Sequence, residues 1–334
     1  MGGILTADQD PIGTATSATS TSDLGGLNFL GDNASAYSDG QLSGVAAAGE
    51  IMPVFALDEE GGRVQRLKSL IGPVPSAREM AKTMTPDQVE SLAERIANEM
   101  ANLGFGMDLA PVLGVSSQPD DAVIGDRSFS DDPATVTEYA GAFINGLKAG
   151  GIFPVLKHFP GLGSATGNTD DAPASTPPLT QLEKSDIVPY ETLLDQPGVG
   201  VMVANATVPG LTGDTPASLS PAAVKYLRGK LKFDGLIMTD SLSAGAITAT
   251  HDLPSAALAA LEAGIDVVLW DSTAETAAIL DRLEAAVSDG TLSQDSIVAS
   301  VGRMLDTKGL DACKIASAPV GATPSVTAAP QQSS

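Results

Sequence analysis

Lys157-His158-Phe159-Pro160-Gly161-Leu162-Gly163 follows an apolar run over 152–156, and Met238-Thr239-Asp240-Ser241-Leu242 closes a second apolar run about eighty residues later. In both, a short strand, apolar on both faces, ends in polar residues. Strands of this kind separated by helices belong to a parallel sheet covered on both sides. Working outward, further strands are expected over 24–30, 52–57, 105–112, 199–203 and 265–270. Helices are expected over 86–103, 133–149, 180–195, 220–231, 254–263, 274–288 and 293–308. The first is marked by Thr85 as a cap, Pro86 behind it, and apolar spacing at Val89, Leu92, Ile96 and Met100.

Seven strands are clear, and residues 2–5 offer an eighth. The expected fold class is α/β, a (β/α)8 TIM-type barrel whose first βα unit is the incomplete one if any is. Residues 1–23 read as a loop or a remnant of that unit, 24–310 as the barrel, and 311–334 as a disordered tail rich in Ala, Pro, Ser and Thr.

The bulk composition excludes several classes. A net charge of −23 over 334 residues repels phosphate backbones and anionic lipid, so nucleic-acid partners are not expected. No window approaches twenty continuous apolar residues, so no integral membrane segment is expected. Residues 1–6 lack the basic start and apolar core of a signal peptide. The single cysteine, Cys313, allows no intrachain disulfide, and two histidines lying far from it make no zinc pattern. Neither Gly-x-Gly-x-x-Gly nor Gly-x-x-x-x-Gly-Lys-Ser/Thr occurs. No cofactor and no metal are expected.

Polar groups gather instead at strand C-termini: Asp58, Asp108, Lys157, His158, Asn205, Asp240 and Asp271. In a barrel those ends share the face that holds the active site. Asp240 in that position is suited to attack an anomeric carbon and form a glycosyl ester; the alternative is a cap for a following helical turn. Lys157 needs a carboxylate or a sugar hydroxyl as partner. His158 either reaches the site or bonds a backbone carbonyl. Asp58 suits two sugar hydroxyls, with Gly61 and Gly62 allowing a tight turn or a close approach to ligand. Arg127 either serves substrate, fixes Asp58, or with Asp126 ties loops together. His251 reads as structural and Trp270 as filling the barrel rim rather than stacking on a sugar.

Five motifs carry a resemblance. Asp58-Glu59-Glu60-Gly61-Gly62-Arg63-Val64-Gln65-Arg66-Leu67, Leu109-Ala110-Pro111-Val112-Leu113, Gly125-Asp126-Arg127-Ser128-Phe129, Lys157-His158-Phe159-Pro160-Gly161 and Thr239-Asp240-Ser241-Leu242 occur in that order. The chain resembles single-domain bacterial β-N-acetylglucosaminidases of glycoside hydrolase family 3 over roughly residues 24–310. The resemblance implies a (β/α)8 barrel that releases terminal N-acetylglucosamine, often from peptidoglycan fragments, with retention and without cofactor. It implies Asp240 as nucleophile and Asp58, Arg127, Lys157 and His158 as sugar-binding residues. Its partner is then a small carbohydrate.

One departure stands out. Enzymes of this kind usually continue Lys-His-Phe-Pro-Gly-His-Gly, four residues, then Asp-Ser-His, with the last His as acid/base and the Asp orienting it. Here His158 keeps the first of those histidines, Leu162 replaces the second, Asn168 the orienting Asp, and Asp170 the catalytic His. Asp170 is then the candidate replacement acid, in a carboxylate pair about 5–5.5 Å apart as in common retaining enzymes. The Gly-containing run 161–171 suits a loop that closes on substrate. The alternatives are a sugar- or muropeptide-binding pseudoenzyme, or a β-glucosidase-like hydrolase of the same family. Asn205 is a second departure, since many relatives carry His there. The acidic, Cys-poor composition and Ser/Thr/Pro-rich ends lean towards the cell envelope or secretion over the cytoplasm.

Overall fold

The computed structural model describes residues 54–310 except residue 272, together with the backbone of Ile4–Leu5 and Leu27–Phe29. Eight parallel strands close into a barrel: β1 Ile4–Leu5, β2 Leu27–Phe29, β3 Val54–Leu57, β4 Met107–Asp108, β5 Phe153–Phe159, β6 Gly200–Val203, β7 Leu236–Ser241 and β8 Val267–Trp270. Each strand pairs with the next in sequence. β1 seals the ring, with Ile4 opposite Leu27 on one side and Leu269 on the other. The strand considered from residues 2–5 is therefore present in its place. The loop expected before residue 24 and the tail expected after 310 lie outside the described residues.

β6 and β8 are buried at every position, as strands with the core on one side and helices on the other must be. The helix Pro86–Asn102 starts with a reciprocal cap. Thr85 Oγ1 accepts from the Gln88 amide, and Gln88 Oε1 accepts from the Thr85 amide. It buries Val89, Ala93, Ile96, Ala97 and Met100 against the helix Pro133–Ala149, which contributes Val136, Ala140, Phe143, Ile144 and Leu147.

Four expectations need correction. β5 runs further than its apolar stretch, so Lys157 and His158 sit on the strand rather than in the loop after it, whereas Asp240 lies near the end of β7 as expected. The strand expected over 105–112 pairs only at Met107–Asp108, because Pro111 has no N–H for a ladder; Val112 rejoins through one bridge to Lys157. The helix expected over 180–195 is two pieces, Leu179–Leu182 and Ile187–Leu193, split where Asp186 turns inward. The helix expected over 220–231 ends at Lys225 and continues as a wider turn, Tyr226–Lys230.

The N-terminal end of the barrel is closed by Asp266, which precedes β8. Its carboxylate accepts from the Ile237 amide at 2.9 Å, Arg228 at 2.7 Å, Arg303 at 2.8 Å and Ser300 at 2.9 Å. The last described helix, Gln294–Thr307, is thereby tied to β7 and β8.

Candidate active site

At the opposite end, the strand C-termini surround a cavity of about 400 Å³. Asp58, Arg127, Lys157, His158, Asp170 and Asp240 all line it. Asp58 follows β3, Lys157 and His158 end β5, and Asp240 lies on β7. Arg127 comes from the short turn Gly125–Arg127 after β4, and Asp170 from the loop after β5. Arg66, Met202, Leu269 and Asp271 also line the cavity. Asp271 is one of the polar groups marked in the chain at a strand end; no pattern in the chain distinguishes Arg66, Met202 and Leu269 from core or rim residues.

One buried lattice organises the polar wall. Lys157, 2% exposed, donates to Asp58 and lies 2.6 Å from Glu60 Oε1. Arg127 clasps the same carboxylate with two hydrogen bonds of 2.8 Å, from Nε to Oε2 and from Nη2 to Oε1. Burial alone would raise the Glu60 carboxyl, but Arg127 and Lys157 outweigh it and hold it well below the usual range. Arg127 therefore fixes Glu60, not Asp58, and the loop tie falls to Asp126, which pairs with Arg63 at 3.2 Å. Glu60 is the residue that reading the chain missed. Its position two residues after Asp58 was the available signal.

Gly61 and Gly62 adopt φ of +89° and +60° in a two-stranded ribbon. Side chains there would strike Pro75 and Ser76, so the close approach is to the chain itself and not to a ligand.

His158 is 6% exposed and its Nδ1 has no hydrogen-bond partner among the described residues. Burial, reinforced by Arg127 and Lys157, pushes its pKa well below the usual imidazole range, so the ring is neutral. Asp240 accepts from the Ser241 amide at 2.8 Å. It caps nothing: the next helix, Gly245–Thr248, is preceded by Ala244. Burial and then the charge of Asp170 raise the Asp240 carboxyl to about 7, against opposing pulls from the Ser241 amide, Lys157 and Arg127. Behind Asp240, the buried Asn205 donates to the Ser241 carbonyl at 2.6 Å and accepts from Ser218 at 2.6 Å. Asn205 thus braces the end of β7 from outside the cavity lining.

In the loop after β5, Leu162 packs with Val112, Ile124, Ala204 and Ala206. Asn168 builds the tip: its Oδ1 accepts from the Asp170 amide at 3.2 Å and its Nδ2 donates to Asp171 at 3.0 Å. It therefore shapes the backbone that carries Asp170. The base of the loop is pinned by Asp186, which accepts from Gly163 N at 3.0 Å and Val115 N at 3.3 Å. Trp270 is buried on β8 and does not line the cavity, and neither does His251.

Among the described residues, no group of three or more His, Cys, Asp or Glu is arranged to hold a metal ion. No helix among them is long and apolar enough to cross a membrane.

Comparison with known proteins agrees with this architecture. Residues 32–307 match the family model described as the glycosyl hydrolase family 3 N terminal domain. The chain is 48% identical over 294 residues to the β-hexosaminidase LpqI of Mycobacterium tuberculosis, covering 86% of this chain and 76% of that protein. A solved family 3 glycosyl hydrolase from Mycobacterium smegmatis superposes with a TM-score of 0.86 at 45% identity, covering 91% of this chain and 94% of that one. The β-N-acetylhexosaminidase of Beutenbergia cavernae superposes with a TM-score of 0.82 at 28% identity, covering 92% and 96%. The chain therefore belongs to glycoside hydrolase family 3, as a β-N-acetylhexosaminidase-like glycoside hydrolase.

Proposed function

We propose that the chain is a retaining exo-glycosidase acting on terminal β-linked N-acetylglucosamine, with peptidoglycan-derived fragments as its substrates. The observation that carries this reading is the pair of carboxylates in one cavity, Asp240 on a rigid strand and Asp170 on the loop above it. Asp240, ionised, attacks the anomeric carbon. Asp170, protonated, gives its proton to the departing oxygen, and a glycosyl ester forms on Asp240. Asp170, now ionised, takes a proton from water, which attacks the ester and frees Asp240. The two carboxyls share one proton because their like charges resist simultaneous ionisation, and the reacting state is the one with that proton on Asp170. His158 is neutral and, with Asp58, Lys157 and Arg127, meets the sugar hydroxyls. The name β-hexosaminidase borne by relatives supports the hexosamine over a glucose substrate.

Hydrolysis of two N-acetylglucosaminides tests the reading, one with a nitrophenyl and one with a sugar leaving group, in the parent and in Asp170→Asn. Loss of about 10²–10⁴-fold confined to the sugar leaving group is expected of a missing general acid. Equal losses on both substrates, or faster cleavage of the matching glucosides, would sink it. A second reading, a sugar-binding protein without turnover, draws on Asn168, which engages the loop backbone and Asp171. Saturable binding of N-acetylglucosamine with neither glycoside cleaved would favour that one.

A further inference from the structure

The tip of the loop after β5 is seated by two backbone contacts. The Gly245 amide donates to the Asp170 carbonyl at 2.7 Å, and the Ala246 amide donates to the Thr169 carbonyl at 2.9 Å. The Asn168 hydrogen bonds stay inside the tip and shape it without anchoring it. Lower down, the stem is closed by Thr166 N to the Ser175 carbonyl at 2.9 Å and by Ser175 N to Thr166 Oγ1 at 2.9 Å.

Gly245 lies five residues beyond Asp240 on one continuous segment. A side chain on it has no room. A Cβ built there overlaps the Asp171 carbonyl oxygen and comes within 2.9 Å of the Asp170 carbonyl oxygen. The obstruction is backbone, which cannot turn aside as a side-chain end can. The segment that carries one carboxylate therefore also sets the height of the loop that carries the other.

We infer that Gly245 is a positioning residue, whose amide and bare α-carbon hold the Asp170 loop at the depth where its carboxyl faces Asp240. This rests on the reading of Asp170 as the general acid. A methyl group at 245 lifts the tip away and leaves β7 in place. Displacement of a catalytic group by about 1 Å costs on the order of 10²-fold. That cost falls on substrates that need protonation of the leaving group, and spares activated aryl glycosides.

The experiment compares Gly245→Ala with the parent and with Asp170→Asn on the nitrophenyl and disaccharide substrates across pH. A slow fluorinated glycoside with an activated leaving group, read by mass spectrometry, reports the ester on Asp240. The expected result for Gly245→Ala is a loss of kcat of about 10²-fold on the disaccharide and under about tenfold on the aryl glycoside, with the ester still formed. The alkaline limb of the disaccharide profile, which reports the proton on the acid, should be absent in Asp170→Asn and flattened in Gly245→Ala. Activity on both substrates within about threefold of the parent, or an equal loss on both, overturns the inference while Asp170→Asn alone still decides the acid. Failure to form the ester also overturns it, because the substitution has then reached the nucleophile segment itself. If Asp170→Asn shows no leaving-group preference, the acid reading falls and the positioning role falls with it.

Discussion

Each end of the barrel buries one carboxylate between two cations, and the two ends use that arrangement differently. At the N-terminal end, Asp266 binds Arg228 and Arg303 and also accepts from the Ile237 amide and Ser300. All of its partners are structural, and it joins a helix to two strands. At the C-terminal end, Glu60 binds Arg127 and Lys157, but Lys157 also reaches Asp58 at the cavity wall. The chemistry is the same; what differs is whether one cation has a second, solvent-facing partner. A buried ion pair is thus a strut in one place and the back wall of a site in the other.

The sharpest test of this contrast is Asp240→Asn. Loss of the nucleophile should lower kcat by about 10⁴-fold or more. The melting temperature above pH 7 should not fall, because the ionised form is the one the site resists. A loss of stability together with activity would blur the two ends. Next in size is Asp266→Ala, which strands two guanidiniums. Removing one partner of a fully buried pair costs about 3–5 kcal/mol; because Arg228 and Arg303 keep side-chain exposures of 21% and 32%, about 2–3 kcal/mol is expected here. Calorimetry should show a fall of roughly 5 °C, with activity per folded molecule kept within about twofold. A selective loss of kcat would mean that the lower cluster reaches the site after all.

The smallest effect is in the pH profile. Asp240 must be ionised to attack, and its carboxyl is raised to about 7, so kcat/KM for an aryl glycoside should fall as pH drops below that value. Asp170→Asn removes the like charge, lowers that pKa and carries the acid limb to lower pH. An acid limb that stays in place would show that burial alone sets it. For Glu60 the sign is opposite. Its carboxyl is held below its ordinary 4.5, so the stability it confers is complete above that pH and is lost as pH falls towards its folded value.

The barrel was legible because its strands are short apolar runs ended by polar residues, and that same punctuation marks Asp58, Lys157, His158 and Asp240. Glu60 was legible only through its spacing from Asp58. In Asp58-Glu59-Glu60 both glutamates are buried, and charge alone does not say which of them meets the cations; the answer depends on Arg127, sixty-seven residues away. Asp186 was hidden for a related reason. It sits in a stretch with helical spacing, and the amides that draw it inward belong to Val115 and Gly163. The shortness of β4 follows from Pro111, which was visible in the chain but was read as strand.

Asp186 also binds two inheritances together. The loop after β4 donates one amide to it and the loop after β5 donates another, so a single carboxylate measures the gap between neighbouring βα units. Loops on barrels are often treated as exchangeable parts. Here the loops that pass through Val115 and Gly163 share a gauge, and a chimaera that imports only one of them from a relative should melt below a chimaera that imports both.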